Sequence, residues 1–359
     1  MAIEIEITMN PKIRKDLAVV SKQSADDTIN LIFSDGSVTL LGYSSSSFCL
    51  CKEFIDCSEH YNLRVKSGIV LAMYSYAFIR FNITIDKVTI YGLDKDKKVK
   101  RSAQIKVSND TTANYQADFY NGIIRSLRAG LNCSNLTTLK QFYKISKVNP
   151  KSERGVMISN NQFYTCGDGF KFYSKTDIDF NCFILSDDLM SLIEFTGESS
   201  CILYNNGGYI IAKNENDCYF GVRISNAQEG IRDLESILRQ KPILSFKVPI
   251  QEVKSSIKSI KDDKSGLGKI SFNVKNKNMV VGLRDVVFAM PIEYQDSNGD
   301  IDTVVEINFK LFNKLIQTLD VGSISSVMVY SRFVIITSGN ESILIIGRSW
   351  WIYLKWKKK

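Results

Sequence analysis

Six stretches of this sequence carry apolar residues at helical spacing, and each is followed by short apolar runs that read as strands. They begin near residues 11, 64, 137, 186, 248 and 308, about 59 residues apart on average. The strand runs are plainest after the fourth and sixth helices. Cys201-Ile202-Leu203-Tyr204, Gly208-Tyr209-Ile210-Ile211 and Tyr219-Phe220-Gly221-Val222 follow the fourth. Ser326-Val327-Met328-Val329-Tyr330, Phe333-Val334-Ile335-Ile336 and Ile343-Leu344-Ile345-Ile346 follow the sixth. Gly, Asn, Asp or Ser bounds each run, which is the punctuation of an antiparallel meander. One helix with about four strands, repeated, predicts an α+β fold. At 359 residues the chain is too long for one such core and divides into two or three globular units.

The predicted helices also sort their charge. Between Val248 and Lys261, Val253, Ile257 and Ile260 form an apolar face while Lys254, Lys258 and Lys261 recur on an adjoining one. Thr137 to Lys147 sets Leu139, Phe142 and Tyr143 against Lys140, Lys144 and Lys147, and Asn308 to Leu319 sets Phe312, Leu315, Ile316 and Leu319 against Lys310 and Lys314. Pro11 to Lys22 pairs Ile13, Leu17 and Val20 with Lys12, Arg14 and Lys15, and Arg64 and Lys66 open the second helical stretch. A single lysine face is ordinarily just solvated; its recurrence is what points to an anionic partner. The chain carries a net +8, with 10 basic against 3 acidic residues in 241–284 and 7 against 1 in 121–154. The fourth helix breaks the pattern, because 177–200 holds six acids and no Lys or Arg. Lysines without interleaved aromatics or Arg-rich base readers suit phosphate contact, and the aromatics on these helices fall on the apolar side. Duplex DNA, bound without sequence preference, is the expected partner. Its expected contacts are Lys12, Arg14, Lys15, Arg64, Lys66, Lys140, Lys144, Lys147, Lys254, Lys258, Lys261, Lys310 and Lys314.

Most catalytic chemistry has no seat here. The one histidine, His60, sits in Ser58-Glu59-His60-Tyr61, which reads as a polar turn, so a Ser-His-Asp or Cys-His triad has no base to use. Gly167-Asp168-Gly169 lacks the third glycine of a dinucleotide fingerprint, and nothing resembles a P-loop. Asp296-Ser297-Asn298-Gly299-Asp300-Ile301-Asp302 has the flavour of a calcium loop, but its glycine is misplaced, and a polar hairpin turn at Asn298-Gly299 accounts for it. Asp187 and Asp188 follow Ser186 at a helix start, where capping and the helix dipole explain them. Eight scattered cysteines, with no CxxC, read as reduced thiols with no zinc cluster. No metal, cofactor or enzymatic activity is expected. No apolar run is long enough to span a bilayer and the N-terminus lacks a secretory h-region, so no membrane partner and a cytoplasmic location, at the nucleoid or a viral replication site, are expected.

Gly155-Val156-Met157-Ile158-Ser159-Asn160-Asn161-Gln162-Phe163-Tyr164-Thr165-Cys166-Gly167 reads as a strand, a turn and a second strand leading into Asp168-Gly169-Phe170-Lys171-Phe172. It resembles the central-domain stretch of the bacterial sliding clamps, the beta subunits of the replicative DNA polymerase, with Phe170 where that family has His. The helix from Phe309 to Leu319 with its three strands and terminal Trp351-Ile352-Tyr353-Leu354 resembles the family's last half-domain, and Arg101-Ser102-Ala103-Gln104-Ile105-Lys106-Val107 the strand that closes its first domain.

The resemblance implies a three-domain DNA clamp, with domains at 1–120, 121–242 and 243–359, each made of two helix-plus-antiparallel-sheet halves. Two chains would close head to tail as a homodimer ring around DNA, with Ile105 and Val107 of one chain meeting Ile257 and Ile260 of the other. A DNA polymerase, and a clamp loader, would be the partners. A partner peptide would enter a pocket between Gly167, Phe170, Lys171 and Phe172, Leu238 and Ile243, and Leu354. The function implied is a processivity factor. The second reading is a clamp-derived binding module that serves transcription or repair without stable loading on DNA.

Overall fold

The first helix shows why these stretches coil where they do. Asn10 caps it by accepting a 2.8 Å hydrogen bond from the Ile13 amide, and Pro11 occupies the first turn, where its missing N–H costs nothing. Ile13, Leu17 and Val20 then recur along one buried stripe. Each contributes about 1.5–3 kcal/mol on burial. The stripe lies so close to the sheet beneath it that a Cβ at Gly42 would stand 2.3 Å from the Val20 carbonyl oxygen, so only glycine fits there.

The computed structural model describes residues 3–24, 27–58, 60–106, 111–133, 136, 138–149, 154–197, 199–225, 239–258, 267–273, 278–283, 286–291, 293–297, 303–319, 324–331, 333–338 and 342–347. Within them the order strand, helix, three strands occurs six times. The first copy is β1 (Ile3–Thr8), α1 (Pro11–Lys22), β2 (Thr28–Ser34), β3 (Ser37–Tyr43) and β4 (Ser47–Phe54). The second is β5 (Tyr61–Lys66), α2 (Ser67–Ala72), β6 (Phe78–Ile83), β7 (Lys87–Leu93) and β8 (Val99–Lys106). A helix with no counterpart in the other copies among the described residues, α3 (Thr111–Arg125), comes next. The third copy is β9 (Leu131–Cys133), α4 (Thr138–Ser146), β10 (Gly155–Ser159), β11 (Gln162–Gly167) and β12 (Phe170–Lys175). The fourth is β13 (Cys182–Leu185), α5 (Ser186–Thr196), β14 (Cys201–Asn205), β15 (Tyr209–Lys213) and β16 (Tyr219–Arg223). The fifth is β17 (Leu244–Pro249), α6 (Ile250–Lys258), β18 (Leu267–Asn273), β19 (Asn278–Leu283) and β20 (Val286–Pro291), followed by an extra strand β21 (Glu293–Ser297). The last is β22 (Thr303–Asn308), α7 (Phe309–Thr318), β23 (Ile324–Val329), β24 (Phe333–Ser338) and β25 (Ser342–Gly347).

The expected six helices are present, with two corrections. The second begins at Ser67, so Arg64 and Lys66 belong to β5 and not to a helix. The helix α3 was not anticipated.

The sheets pair the copies by exchange. β1, which precedes α1, pairs with the strands after α2 in the order β1-β6-β7-β8, while β5, which precedes α2, pairs with the strands after α1. The same exchange links the third copy with the fourth and the fifth with the sixth, giving six four-stranded blocks of identical connectivity. Four of these fuse through their last strands. β4 pairs antiparallel with β16, and β12 with β25, building an eight-stranded and a nine-stranded sheet. At the first seam a Cβ on Gly221 would meet the Phe48 ring at 2.1 Å. The two remaining blocks are separate four-stranded sheets with β8 and β20 at their edges.

The chain forms two compact units. One comprises residues 1–136 and 191–224, the other 137–190 and 225–359. The first contains the eight-stranded sheet and the β1-β6-β7-β8 sheet, with α1 and α3 packed on the former. In the second, α7 packs against both α6 and α4. Leu139, Phe142, Ile145, Val253, Ile257, Phe312, Leu315 and Ile316 are all buried there. No described helix is long and apolar enough to cross a membrane.

Candidate nucleic-acid interface

In the second unit three helices combine a buried apolar face with exposed lysines. On α4, Leu139, Phe142 and Ile145 face inward and Phe142 packs against Phe172 with ring centroids 4.7 Å apart. Lys144 and the following Lys147 are exposed, Lys147 lying 4.2 Å above the Tyr143 ring, and Lys140 is half-buried. Asn308 caps α7 by accepting from the Leu311 amide at 3.0 Å, and this phase turns Phe312, Leu315 and Ile316 inward and Lys310 and Lys314 outward. On α6, Lys258 is exposed. Neither α4 nor α7 contains an acidic residue. Among the described residues no carboxylate pairs with Lys144, Lys147, Lys258, Lys310 or Lys314. Such unneutralised ammonium groups on adjoining helices can make several simultaneous phosphate contacts.

Lys254 does not belong to that set. It is buried, and its Nζ donates to the Leu319 carbonyl at the C-terminal cap of α7, where the helix leaves acceptors unsatisfied. Gln317 reinforces the same joint by donating to the Lys254 carbonyl at 3.1 Å, and Gln141 of α4 donates to the Thr318 carbonyl at 3.4 Å. Lys254 therefore joins two helices, through its own ammonium and through its carbonyl. Ile257, expected at a subunit contact, is fully buried in the chain's own core and offers no surface. Ile260 and Val107 of the expected subunit contact, and Lys261 of the expected DNA contacts, lie outside the described residues.

The cations of the first unit are more engaged. Lys12 pairs with Glu53, and this partner raises its pKa against the opposing effect of burial. Arg14 donates to the Tyr76 carbonyl at 2.9 Å and sits over the Tyr74 ring. Arg64 donates to the Thr28 hydroxyl at 3.3 Å. Lys15 and Lys66 are exposed. The helix α5 carries Asp187 and Asp188 in its first turn, as the dipole favours, and no lysine.

The wall proposed for a peptide pocket is formed differently from the expectation. Phe170 and Phe172 are wholly buried on the side of the sheet that faces α4, and Lys171 is buried on the other side, opposite Ile345 of β25. Gly167 and Ile243 are half-buried and present surface; Leu238 and Leu354 lie outside the described residues. A Cβ at Gly167 would collide with Asn149 and with the Phe170 ring.

A second concavity, in the first unit, was missed. Tyr43, Ser44, Ser45, Tyr209 and the α3 residues Gln116, Phe119 and Tyr120 line an open cleft of about 400 Å³. Burial pushes the Tyr120 hydroxyl well above its ordinary pKa, and Tyr209 adds to the effect. Tyr120, Ile123, Ile124 and Leu127 at helical spacing were the available signal. His60 lies 3.2 Å from Asp35, both exposed, consistent with a polar turn.

No family model matches the chain, and no curated protein matches it. Solved structures do. A DNA polymerase III beta subunit from Eubacterium rectale matches with a TM-score of 0.70 at 13% identity, over 96% of this chain and 98% of that one. The Borrelia burgdorferi beta subunit, solved in complex with a natural product, gives 0.69 at 13% identity over 96% and 97%. The Helicobacter pylori beta clamp, bound to a DNA ligase peptide, gives 0.70 at 14% identity over 96% and 99%. The chain thus has the fold of the bacterial sliding clamps along nearly its whole length.

Proposed function

We propose that this chain is a DNA sliding clamp, a non-enzymatic processivity factor that encircles duplex DNA and tethers a replicative polymerase. The observation that carries the reading is the set of exposed lysines on α4, α6 and α7 that have no carboxylate partner among the described residues, borne on the clamp fold. The three pairs of copies that exchange a strand are the natural domains, near 1–120, 121–242 and 243–359, because neither member of a pair completes its sheet alone.

Closure follows from the edges. Four of the six blocks already join last strand to last strand; among the described residues the two unfused last strands are β8 and β20. A second copy offers the same two, so β8 of one chain against β20 of the next closes a head-to-tail dimer and removes both edges. Ile105, half-buried on β8, belongs to that contact; β20 takes the role first expected for Ile257.

A closed ring leaves DNA only at an end or by opening. Its phosphate contacts can therefore be weak and mobile while the protein stays attached, and a polymerase held by the ring gains a high effective concentration at the primer. A loader would open the ring, and partner peptides with apolar anchors would use the surface beside Gly167 and Ile243. The protein would work in the cytoplasm, at the nucleoid or a viral replication site.

The test is retention on DNA. Clamp assembled on a nicked circle should survive a high-salt wash and be lost when the circle is linearised. Equal loss from both forms would leave the alternative, a clamp-derived module serving transcription or repair. At low salt, changing Lys144, Lys310 and Lys314 together to Gln should reduce the salt slope of DNA binding by about 2.7, at about 0.9 per phosphate contact. An unchanged slope would remove these helices from the interface.

A further inference from the structure

Beneath α1, at the seam where β4 meets β16, three metal-ligating side chains that are far apart in sequence converge beside a second buried carboxylate. Asp16 projects from the core-facing stripe of α1, between Ile13 and Leu17, and is only 2% exposed. A carboxylate in that position is costly unless something compensates it. Its Oδ2 accepts no hydrogen bond; the nearest cation, the Lys12 Nζ, lies 3.8 Å away and donates to Glu53. Glu53, itself buried, shares the same Lys12, so two carboxyl groups crowd one apolar space. Facing them are two thiols. Cys51 is fully buried on the same face of β4 as Glu53, and Cys218 immediately precedes β16 and is 1% exposed. The pairing of Tyr219 with Leu50 puts Cys218 directly across the seam from Cys51. One carboxylate oxygen of Asp16 and the sulfurs of Cys51 and Cys218 all lie within 4.8 Å of one another.

We propose that Asp16, Cys51 and Cys218 form a structural site for a thiophilic divalent cation, zinc above all, with Glu53 completing the shell. Zinc takes thiolates at about 2.3 Å and carboxylates at about 2.0–2.2 Å in a tetrahedron, which sets its donors about 3.3–3.8 Å apart. Closing Asp16, Cys51 and Cys218 from within 4.8 Å to that spacing requires a contraction of at most about 1.5 Å among side chains. Two thiolates exclude magnesium and calcium, which demand oxygen shells. Both thiols would release their protons to solvent on binding, and the ion would neutralise the crowded carboxylates that Lys12 serves only in part. The donors come from both sides of the seam, α1 and β4 on one and the approach to β16 on the other, so the ion staples two four-stranded blocks together. Nothing in this requires the chain to bind DNA.

The test uses the whole chain purified under reducing conditions. It should retain about one equivalent of zinc through gel filtration. Replacing the ion with Co²⁺ should produce the near-ultraviolet charge-transfer band of thiolate ligation. Cys51→Ser, Cys218→Ser and Asp16→Asn should weaken Co²⁺ binding by at least about a hundredfold, whereas Cys166→Ser, an exposed thiol elsewhere, should leave the band intact. The wild-type spectrum decides the matter even where a variant fails to fold. Absence of retained zinc together with absence of the Co²⁺ band overturns the proposal, as does a Cys51–Cys218 disulfide in the reduced preparation.

Discussion

Glu6 on β1 illustrates how much a single side chain's environment decides. Burial would raise its pKa above the ordinary 4.5, but hydrogen bonds from Lys97 and Arg80 outweigh that and hold it lower. A carboxylate with a depressed folded-state pKa stabilises the fold above its unfolded value, and the gain vanishes as pH falls through the folded value. Glu6→Gln should therefore be less stable than the parent at neutral pH, and the gap should narrow below about pH 4.5 in acid-titrated chemical denaturation. A constant gap across that range would mean the ion pairs contribute nothing there. None of this is visible in the sequence, where Glu6, Arg80 and Lys97 are three unremarked charges, because antiparallel pairing of β1 with β6 is what opposes Glu6 and Arg80. The convergence of Asp16, Cys51 and Cys218 is hidden for the same reason. Spacings of tens to hundreds of residues match no ligand motif, and only the β4–β16 seam brings them together. His60, by contrast, was legible, since a polar tetrapeptide is a local matter.

At the scale of elements, five of the seven described helices were readable near their starts because a 3.6-residue apolar period is a local property. The start of α2 was misplaced by three residues, since its stretch opens within β5, and α3 was missed because Gly122 and a Thr-Thr-Ala-Asn opening weaken its propensity. Periodicity also gave the phase of each lysine stripe without the width of the buried face. Lys254 is the consequence: its spacing matches Lys258, yet the approach of α7 covers it and supplies the Leu319 carbonyl as a partner. Charge reversal therefore separates the two lysine classes. Lys254→Glu should destabilise the chain by about 3–5 kcal/mol in urea unfolding, because a buried cation becomes an anion facing a carbonyl. Lys310→Glu and Lys314→Glu, on the exposed face, should stay within about 0.5 kcal/mol of the parent. If Lys254→Glu unfolds like the exposed variants, α6 and α7 are not joined through that side chain.

At the scale of the whole molecule, the sixfold count was legible and the exchange of strands between copies was not, because pairing β1 with β6 rather than with β2 is a non-local choice that no apolar period encodes. That exchange yields the strongest expectation about assembly. Each block ends in a last strand, four such strands are consumed in the β4–β16 and β12–β25 seams, and β8 remains exposed along most of its length. Its edge carries Lys100, Arg101 and Lys106, the kind of charge that discourages indiscriminate pairing while leaving backbone groups for a specific partner strand. Backbone N–H groups alternate in direction along a strand, so of Ala103→Pro and Gln104→Pro one removes an outward donor and the other an inward one used by β7. In sedimentation the outward variant should run as a folded monomer of about half the parent mass, and the inward one should lose stability first. A dimer that survives both substitutions with the fold intact would place its contact elsewhere and break the link from unfused edges to a closed ring.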